Sequence, residues 1–524
     1  MTPGAGAQPG ELSPADGSGP PELLAYPSAR GRWVVAAMIM GSSVAGIDST
    51  VVAVALPAIG RDLHVGFQAL QWTVTSYTLT LASLILLAGS LSDRWGRRRV
   101  FLAGLGWFTV ASVLCAAAPG IGWLIAARAV QGIGGALMTP ASLAIIEAAF
   151  RPGDRTRAIG IWAGFSGVSA ATAPFLGGWL LEAGTWRGIF LINVPVAAVA
   201  AWVTRRHVPE SRDTSASGRA DWPGALAGVV ALATITYAII VLPGAGVRSP
   251  QFAAAAVLAV VSSAAFVVIE RRGDHPMLPP AIFAPAQFRA ANAVTFVVNG
   301  ALGGFAFVFI PALEIIAGYS PVVAGSALVP VTVMTLLLSG TSGRLAQRIG
   351  PRPLVVAGCL VCAGASMLAV RVGPHASYWT AVFPLAVLFG LGLASLIPPL
   401  TASAMSSAPD SLAGLASGVN NAVARVAGLL WIAALPPITG LTGAAYADPA
   451  QFQSSFAQIS WICAAAFACA AAIAATFITG PRPTPAPGTA LIQTPVPHLA
   501  CPVAFGHAPG QSRRPDGGAG QVVR

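Results

Sequence analysis

The loop Gly89-Ser-Leu-Ser-Asp-Arg-Trp-Gly-Arg-Arg-Arg-Val100 separates two long apolar runs and has a second copy farther along the chain. That copy is Gly343-Arg-Leu-Ala-Gln-Arg-Ile-Gly-Pro-Arg-Pro-Leu354, with Gln347 where the first copy has Asp93. The first copy follows the second apolar run and the second copy follows the tenth. This matching position predicts a chain built from two related halves.

The composition of the 524-residue chain excludes a soluble fold. Only 9% of the residues are charged and 55% are hydrophobic, and the mean hydropathy is +0.73. A soluble protein of this size needs a polar surface to cover its core. The net charge of +11 does not indicate a nucleic-acid partner, because such proteins cluster basic residues on a water-exposed module. Here long apolar runs separate the basic residues, and lipid is the expected partner.

Fourteen apolar runs are each long enough to cross a bilayer, which takes a helix of about 20 residues. The predicted spans are 33–59, 71–91, 99–119, 121–147, 156–182, 186–204, 222–243, 251–270, 289–316, 322–342, 353–372, 377–404, 413–440 and 455–479. An even number of spans places both termini on the same side of the membrane.

The arginines indicate which side that is. All 29 basic residues are Arg, and 23 of them lie in the termini and loops of one side. Four lie on the other side: Arg61, Arg187, Arg248 and Arg371. Loops rich in Lys and Arg stay in the cytoplasm. The distribution therefore predicts a multi-pass protein of the bacterial cytoplasmic membrane with both termini cytoplasmic.

The spans and loops predict five segments of the chain. Residues 1–32 and the Pro-rich tail 480–524 have no apolar periodicity and are expected to be disordered. Between them we expect a six-helix bundle at 33–205, loops with two inserted helices at 206–288, and a second six-helix bundle at 289–479. The predicted fold is an all-α integral membrane protein with fourteen transmembrane helices.

Apart from the two outermost residues at either end of each span, four charged residues lie inside the predicted spans: Asp48, Arg128, Glu314 and Arg425. Intramembrane charges are costly and are candidates for function by default. Asp48 either reaches the outer headgroups or is a protonatable group that faces a central cavity. Glu314 is either interfacial or a second proton site. The guanidinium of Arg128 needs an acceptor, for which Asp48, a free carbonyl and a substrate are candidates.

Small residues recur through the fifth span, from Gly160 to Gly178, and Pro174 interrupts it. Small residues at helical spacing let two helices approach closely, and a proline bends a helix. The segment therefore predicts close packing around a bend, and generic helix packing remains the alternative.

Six segments in order resemble the major facilitator superfamily, and within it the fourteen-helix drug:proton antiporter branch. They are 48–57, 89–100, 128–136, 160–178, 186–195 and 418–425, and the resemblance covers residues 33–479. Three positions depart from the branch pattern. Ala53 replaces an Asn, Ala173 replaces the Gly before the bend, and Glu314 replaces a Gln.

The resemblance implies a major facilitator fold and roles for several residues. Arg128 would assist proton transfer, Asp93 and its arginines would form a cytoplasmic gate, and the bent fifth helix would favour exchange over uptake. The residues of the proton-coupling and substrate cavity are then Asp48, Arg128, Gln131, Glu314, Asn420, Asn421 and Arg425. The gate residues are Gly89, Asp93, Arg94, Gly96, Arg97 and Arg98, and the bend residues are Gly164, Pro174, Gly177 and Gly178.

These observations predict a monomeric, proton-driven exporter of antibiotics or other amphipathic toxic compounds, working by alternating access. The alternative is a proton-coupled nutrient or metabolite symporter of the same superfamily, which the fourth-helix and fifth-helix motifs make less favourable. An enzyme is not expected, because the longest internal loops have about 18 residues and no catalytic spacing is present. No metal and no cofactor are expected beyond the proton as coupling ion, since the sequence has no Walker loop and no metal-ligand spacing.

Overall fold

A computed structural model describes residues 23–212, 221–273, 276–408, 412–441 and 448–479, apart from a few side chains in 156–171 and that of residue 413. This part of the chain is built from long helices that we number α1 to α14. They are α1 Ala29–Leu63, α2 Phe67–Trp95, α3 Arg97–Ala116, α4 Ile121–Ala149, α5 Pro152–Ala183, α6 Gly188–His207, α7 Trp222–Ala245, α8 Pro250–Arg272, α9 Ala286–Ile315, α10 Pro321–Ile349, α11 Pro351–Ala369, α12 Tyr378–Met405, α13 Ala413–Ile438 and α14 Pro449–Phe477.

The predicted all-helical membrane fold is confirmed. Thirteen helices of the described part are long and apolar enough to cross a membrane, and α5, with 32 residues, contains the remaining predicted span, 156–182. Three helices are locally interrupted. α6 is broken at Ile192, α10 is broken between Ser326 and Val329, and α12 opens with a π turn over Tyr378–Val382.

The packing of the helices repeats between the two halves. In the N half (α1–α6), α1 packs on α4, α5 and α6, α2 packs on α4, and α3 packs on α4 and α6. In the C half (α9–α14), α9 packs on α12, α13 and α14, α10 packs on α12, and α11 packs on α12 and α14. Each helix of the first set corresponds to the helix eight places later. The internal repeat suggested by the two loops thus extends to the packing of all twelve helices.

The two halves meet mainly along two helix pairs, α2 with α13 and α5 with α10, with smaller contacts of α1 with α9 and α10. We call the side of the molecule that holds the ends of α2, α4 and α6 the arginine-rich side. On the opposite side α5 and α10 touch, since a Cβ added to Gly178 would lie 2.6 Å from the Cα of Val322. At the other end of the same helices, a Cβ on Gly160 or Gly340 would meet no described atom within 4 Å. The halves are therefore closed on the opposite side. On the arginine-rich side these two glycines face open space, while α2 and α13 remain in contact there at Leu86 and Gly418.

The helices α7 and α8 pack on each other, and α7 also packs on α2 and α13. Only 28% of the apolar window of α7 and 17% of that of α8 is buried, against 61% for α2. Apolar helices with so little buried surface are stable only with lipid as solvent. The pair therefore lies at the periphery, along the seam between the halves.

The N-terminal boundary predicted at residue 32 is too late. The helix α1 begins at Ala29, and Ser28 caps it by accepting a hydrogen bond from the amide of Gly31. Before it, the amide of Leu24 donates to the carbonyl of Ala149 and the amide of Tyr26 donates to Asp154 Oδ2. Composition missed this segment because its partners, at the α4–α5 junction, are distant in sequence. Residues 1–22 and the tail 480–524 lie outside the described residues.

Candidate functional site

A buried polar cluster lies inside the N half, centred on Asp48 of α1. The side chain of Asp48 is 1% exposed, which excludes the reading in which it reaches the headgroups. Its Oδ1 accepts hydrogen bonds from Gln131 Nε2 at 2.8 Å and from Asn193 Nδ2 at 3.0 Å. Its Oδ2 accepts from Arg128 Nη1, with which it forms an ion pair. The carboxylate therefore has donors on both oxygens.

Arg128 of α4 is also 1% exposed and supplies the positive charge of the cluster. Besides Asp48, its guanidinium donates to Gln131 Oε1 at 2.6 Å and to the carbonyl oxygen of Thr73 at 3.2 Å. The ring of Tyr77 lies 4.3 Å from its central carbon, where an aromatic face stabilises a cation. The sequence left three acceptors open for this arginine, and the structure assigns it two of them, Asp48 and a backbone carbonyl.

Two helices that were not expected at the site complete the cluster. Ser112 of α3 accepts from Gln131 Nε2 at 2.8 Å and from Asn193 Nδ2 at 3.3 Å. Asn193 is the first residue after the break in α6, so its side chain can enter the bundle there. Sequence reasoning quoted Asn193 only as part of a motif and missed Ser112, because a single serine in an apolar helix gives no signal of its partner.

The Asp48 carboxylate of this cluster could take up one proton. A buried carboxylate and guanidinium neutralise each other, and removal of one partner leaves an uncompensated charge. A proton added to Asp48 would cancel its negative charge and weaken its bond to Arg128, while Gln131 and Asn193 could still donate to it. This is chemistry that a single proton can switch. The cluster lies in the interior of the N half among α1, α2, α3, α4 and α6, and not on the wall of an open cavity.

Arg425 and Glu314, the two charged residues predicted for the cavity from the C half, lie apart from this cluster. Arg425 of α13 is exposed and close enough to Tyr77 of α2 to interact with it electrostatically. Glu314, near the end of α9, has a buried Oε1 without a hydrogen-bond partner in the described part of the chain, and its charged neighbour is Arg61 of α1. Both residues therefore have their electrostatic neighbours in the N half.

The two asparagines predicted for the cavity differ in their surroundings. Asn420 Nδ2 donates to Asn292 Oδ1 and to Thr295 Oγ1, each at 3.1 Å, and so joins α13 to α9. Asn421 is exposed. The C half thus contains a neutral amide pair, and sequence reasoning missed Asn292 because its partner Asn420 lies 128 residues away in the chain.

The predicted gate loop is held by an ion pair and by a backbone turn. Arg97 donates from Nε and Nη2 to Asp93 Oδ1 at 3.0 and 2.8 Å, and from Nη1 to the carbonyl of Ala144 on α4. Gly96 has φ of 104° and its counterpart Gly350 in the second copy has φ of 87°. Such values favour glycine, which explains why both loop copies keep it. Of the remaining gate residues, Gly89 faces Pro140 of α4 and Arg94 lies in the last turn of α2.

Glu210, which follows α6, is a partner of this loop that the sequence analysis missed. Its Oε1 accepts from the backbone amides of Arg98 and Ser211 at 3.0 and 3.1 Å. Arg98 also donates from Nη1 to the carbonyl of Val208. A Cβ on Gly96 would lie 2.7 Å from Glu210 Oε1. The segment after α6 therefore holds the start of α3 in place by hydrogen bonds.

Two of the bend residues of α5, Pro174 and Gly178, lie where the halves touch. Gly177 faces Val51 of α1, and a Cβ there would be 3.0 Å from its Cγ1. Gly178 faces the chain at Pro321 and Val322, while Gly325 of α10 faces the carbonyl of Pro174. Gly164 lies in the same helix, at a position whose contacts fall outside the described part. The geometry gives Gly178 and Gly325 the role of close packing across the halves, and gives Gly177 the role of close packing on α1 within the N half.

Comparison with known proteins agrees with this architecture. Residues 38–432 match the family model described as Major Facilitator Superfamily. The chain belongs to this superfamily. It is therefore a member of a family of multi-span membrane transporters. In the described part of this transporter, no group of three or more His, Cys, Asp or Glu side chains is placed to hold a metal ion.

Two curated relatives and one solved structure extend the comparison. The chain is 35% identical to multidrug resistance protein Stp of Mycobacterium tuberculosis over 77% of its own length and 75% of the relative. It is also 35% identical to puromycin resistance protein pur8 of Streptomyces alboniger, over 80% and 84% of the two chains. A crystal structure of the peptide transporter POT in complex with sulfate shares the fold, with a TM-score of 0.61 and 14% identity over 84% of this chain and 94% of the other.

Proposed function

We propose that this transporter exports antibiotics or other amphipathic toxic compounds across the bacterial cytoplasmic membrane in exchange for protons. The direction and the class of compound are supported by the relatives at 35% identity, which are named for multidrug and puromycin resistance. The transporter would act as a monomer, with the proton as its only coupling ion. The arginine-rich side would face the cytoplasm, together with both termini, because basic loops are retained there.

The Asp48–Arg128 ion pair is the observation that carries the proton-coupling proposal. It is buried inside the membrane-spanning part, and five helices contribute to its hydrogen bonds. Intramembrane acids are costly to keep, and proton relays are among the roles that explain their presence. A purely structural core would bury apolar side chains of similar volume at no greater cost.

Protonation of Asp48 would change how the N-half helices hold one another. With the carboxylate neutral, Arg128 would keep Gln131 and the Thr73 carbonyl as acceptors and would be freer to turn towards Tyr77. Because Tyr77 lies on α2, which packs on α13 of the other half, a shift there reaches the seam between the halves. Alternating access requires the halves to rock about such a seam.

The experiment compares two carboxylate variants in a drug-sensitive bacterial host whose own efflux pumps are deleted. Asp48→Asn removes the buried charge, and Asp62→Asn removes an exposed carboxylate that pairs with Arg187 at 2.9 Å. Resistance to puromycin and active efflux of preloaded ethidium are measured with and without a protonophore. Membrane levels are quantified for each variant, and a panel of further antibiotics widens the search for substrates.

We expect the wild type to confer resistance and protonophore-sensitive efflux to at least one compound of the panel. Asp48→Asn should lose active efflux at least about 100-fold while remaining in the membrane, and Asp62→Asn should retain it within about threefold. Normal active efflux by Asp48→Asn would refute the role of Asp48. Active uptake of a nutrient, with no effect on drug sensitivity, would instead favour the symporter alternative.

A further inference from the structure

The helix α13 contains two consecutive prolines, Pro436 and Pro437, immediately before its last residue, Ile438. Proline has no amide hydrogen and cannot donate to the carbonyl four residues earlier. The carbonyls of Ile432 and Ala433 therefore have no donor within their own helix. A carbonyl without a partner is costly in a membrane protein, because lipid supplies no hydrogen bond.

Gln71 of α2 supplies both missing hydrogen bonds. Its Nε2 donates to the carbonyl of Ile432 at 2.7 Å and to that of Ala433 at 3.0 Å. The side chain is 3% exposed, so water does not compete at this site. One amide group from the N half thus satisfies two carbonyls that the proline pair leaves free in the C half. We call this set of bonds the Gln71 latch.

The chain contains a second proline pair that shows what is particular about this one. Pro398 and Pro399 lie inside α12, and Pro399 leaves the carbonyl of Ser395 without a helical donor. Ser342 of α10 donates to that carbonyl at 3.0 Å. Both α10 and α12 belong to the C half, so this bond moves with one body. The Gln71 latch joins the two bodies.

The latch lies on the side where the halves are closed. Gln71 is in the second turn of α2 and its acceptors are near the end of α13, the same side as the contact between Gly178 and Val322. If the halves separate on this side, both carbonyls and the Gln71 amide lose their partners at once. A device of this kind favours the state in which this side is closed.

We propose that Gln71 is a positioning residue of the transport cycle, which sets the equilibrium between the two access states by satisfying the carbonyls freed by Pro436 and Pro437. This inference rests on the proposed alternating-access function. Two hydrogen bonds of ordinary net strength correspond to a shift of about tenfold in that equilibrium. The latch makes opening towards the opposite side unfavourable until another event, such as proton or substrate binding, offsets it.

The test measures the conformational equilibrium directly, without any substrate. Purified full-length protein in lipid nanodiscs is studied by hydrogen–deuterium exchange, and uptake is compared at the two ends of α2, α5, α10 and α13. Gln71→Leu leaves the two carbonyls without donors, and the pair Pro436→Ala with Pro437→Ala restores helical donors but leaves Gln71 without acceptors. Each change should raise deuterium uptake on the opposite side and lower it on the arginine-rich side. The ratio of uptake on the opposite side to uptake on the arginine-rich side should rise about tenfold.

The combination of the two changes decides between a latch and mere damage. When Gln71→Leu and both Pro→Ala substitutions are present, the carbonyls are satisfied within the helix and no amide is stranded. Because all of these variants lack the bonds between the halves, the combined variant should shift the exchange ratio no further than either change alone. Ser342→Ala, which removes the bond inside the C half, should leave the ratio of exchange on the two sides unchanged.

Additive effects in the combined variant, or an unchanged exchange ratio in Gln71→Leu, would overturn the proposal. An equal shift with Ser342→Ala would also overturn it, because the effect would then follow from a lost bond and not from its position between the halves. Failure of the proposed export function would appear differently, as missing efflux by the wild type while the exchange ratios still follow the pattern of the latch.

Discussion

The two halves share one packing scheme but use it for different chemistry. In the N half, Asp48 and Arg128 form a charged pair inside the bundle, surrounded by donors and acceptors from the same half. In the C half the interior polar pair, Asn420 with Asn292, is neutral. The charged residues Arg425 and Glu314 of the C half have their electrostatic neighbours, Tyr77 and Arg61, in the N half. Under the proposed proton coupling, protonation of Asp48 would alter the interior of the N half while the C half keeps its packing.

The same contrast separates the two copies of the repeated loop. In the first copy, the arginines bind Asp93, Glu210 and carbonyls of other segments. In the second copy Gln347 replaces the aspartate, and Arg348 and Arg352 are exposed. The backbone turns at Gly96 and Gly350 are thus similar, while the side-chain contacts of the arginines around them differ. The comparison indicates that the repeat conserves a turn between helices, while interactions of the first copy with its surroundings are particular to it.

The largest effect that would break the comparison is expected from Arg128→Leu. It leaves the carboxylate of Asp48 buried without compensation, which costs about 3–5 kcal/mol in known buried pairs. We expect a large drop in the midpoint of thermal unfolding in detergent, together with loss of efflux. Addition of Asp48→Asn to the same chain should restore most of the stability but no transport. If the double variant unfolds as early as the single one, the pair is not the source of the loss.

A smaller effect is expected from Gly96→Ala in the first loop copy. A side chain there must adopt a positive φ and also approach Glu210 Oε1, so strain of about 1–3 kcal/mol is expected. Gly246 is a matched control, because it has φ of 75° and a Cβ would meet no described atom within 4 Å. The midpoint of thermal unfolding and the rate of efflux should both fall more in Gly96→Ala than in Gly246→Ala. Equal losses would show that the contact with Glu210 contributes nothing.

The smallest effect is expected in the second loop copy, from Arg352→Gln. This arginine occupies the register position of Arg98, which donates to the carbonyl of Val208 at 3.1 Å, but it is exposed. Exposed substitutions usually change stability by less than about 0.5 kcal/mol. Arg98→Gln should lower efflux severalfold and Arg352→Gln should not change it measurably. A loss in Arg352→Gln as large as in Arg98→Gln would assign the second loop an equal role.

Prediction from sequence succeeded where a property is local or periodic. Apolar length identified the spans, and the loop repeat indicated two related halves, since both are visible in consecutive residues. Asp48 and Arg128 were identified as candidates because charges stand out in apolar helices, and Gln131 was identified because it lies in the segment 128–136 that resembles the superfamily. Ser112, Asn193 and Glu210 were not identified as members of the site or gate. Each of them contacts a partner more than eighty residues away in the chain, and the sequence does not show which distant residues will meet.

The amino-acid sequence by itself determined that this protein lies in a membrane, that its helices cross it many times and that its halves are related. These properties follow from burial of apolar surface and from the need of each backbone to satisfy its hydrogen bonds within a helix. Only the tertiary structure decided which charges neutralise each other and which carbonyls Gln71 completes. Such pairings depend on distances of a few ångströms between segments far apart in the chain, and helical periodicity specifies a face but not the atom that it will meet.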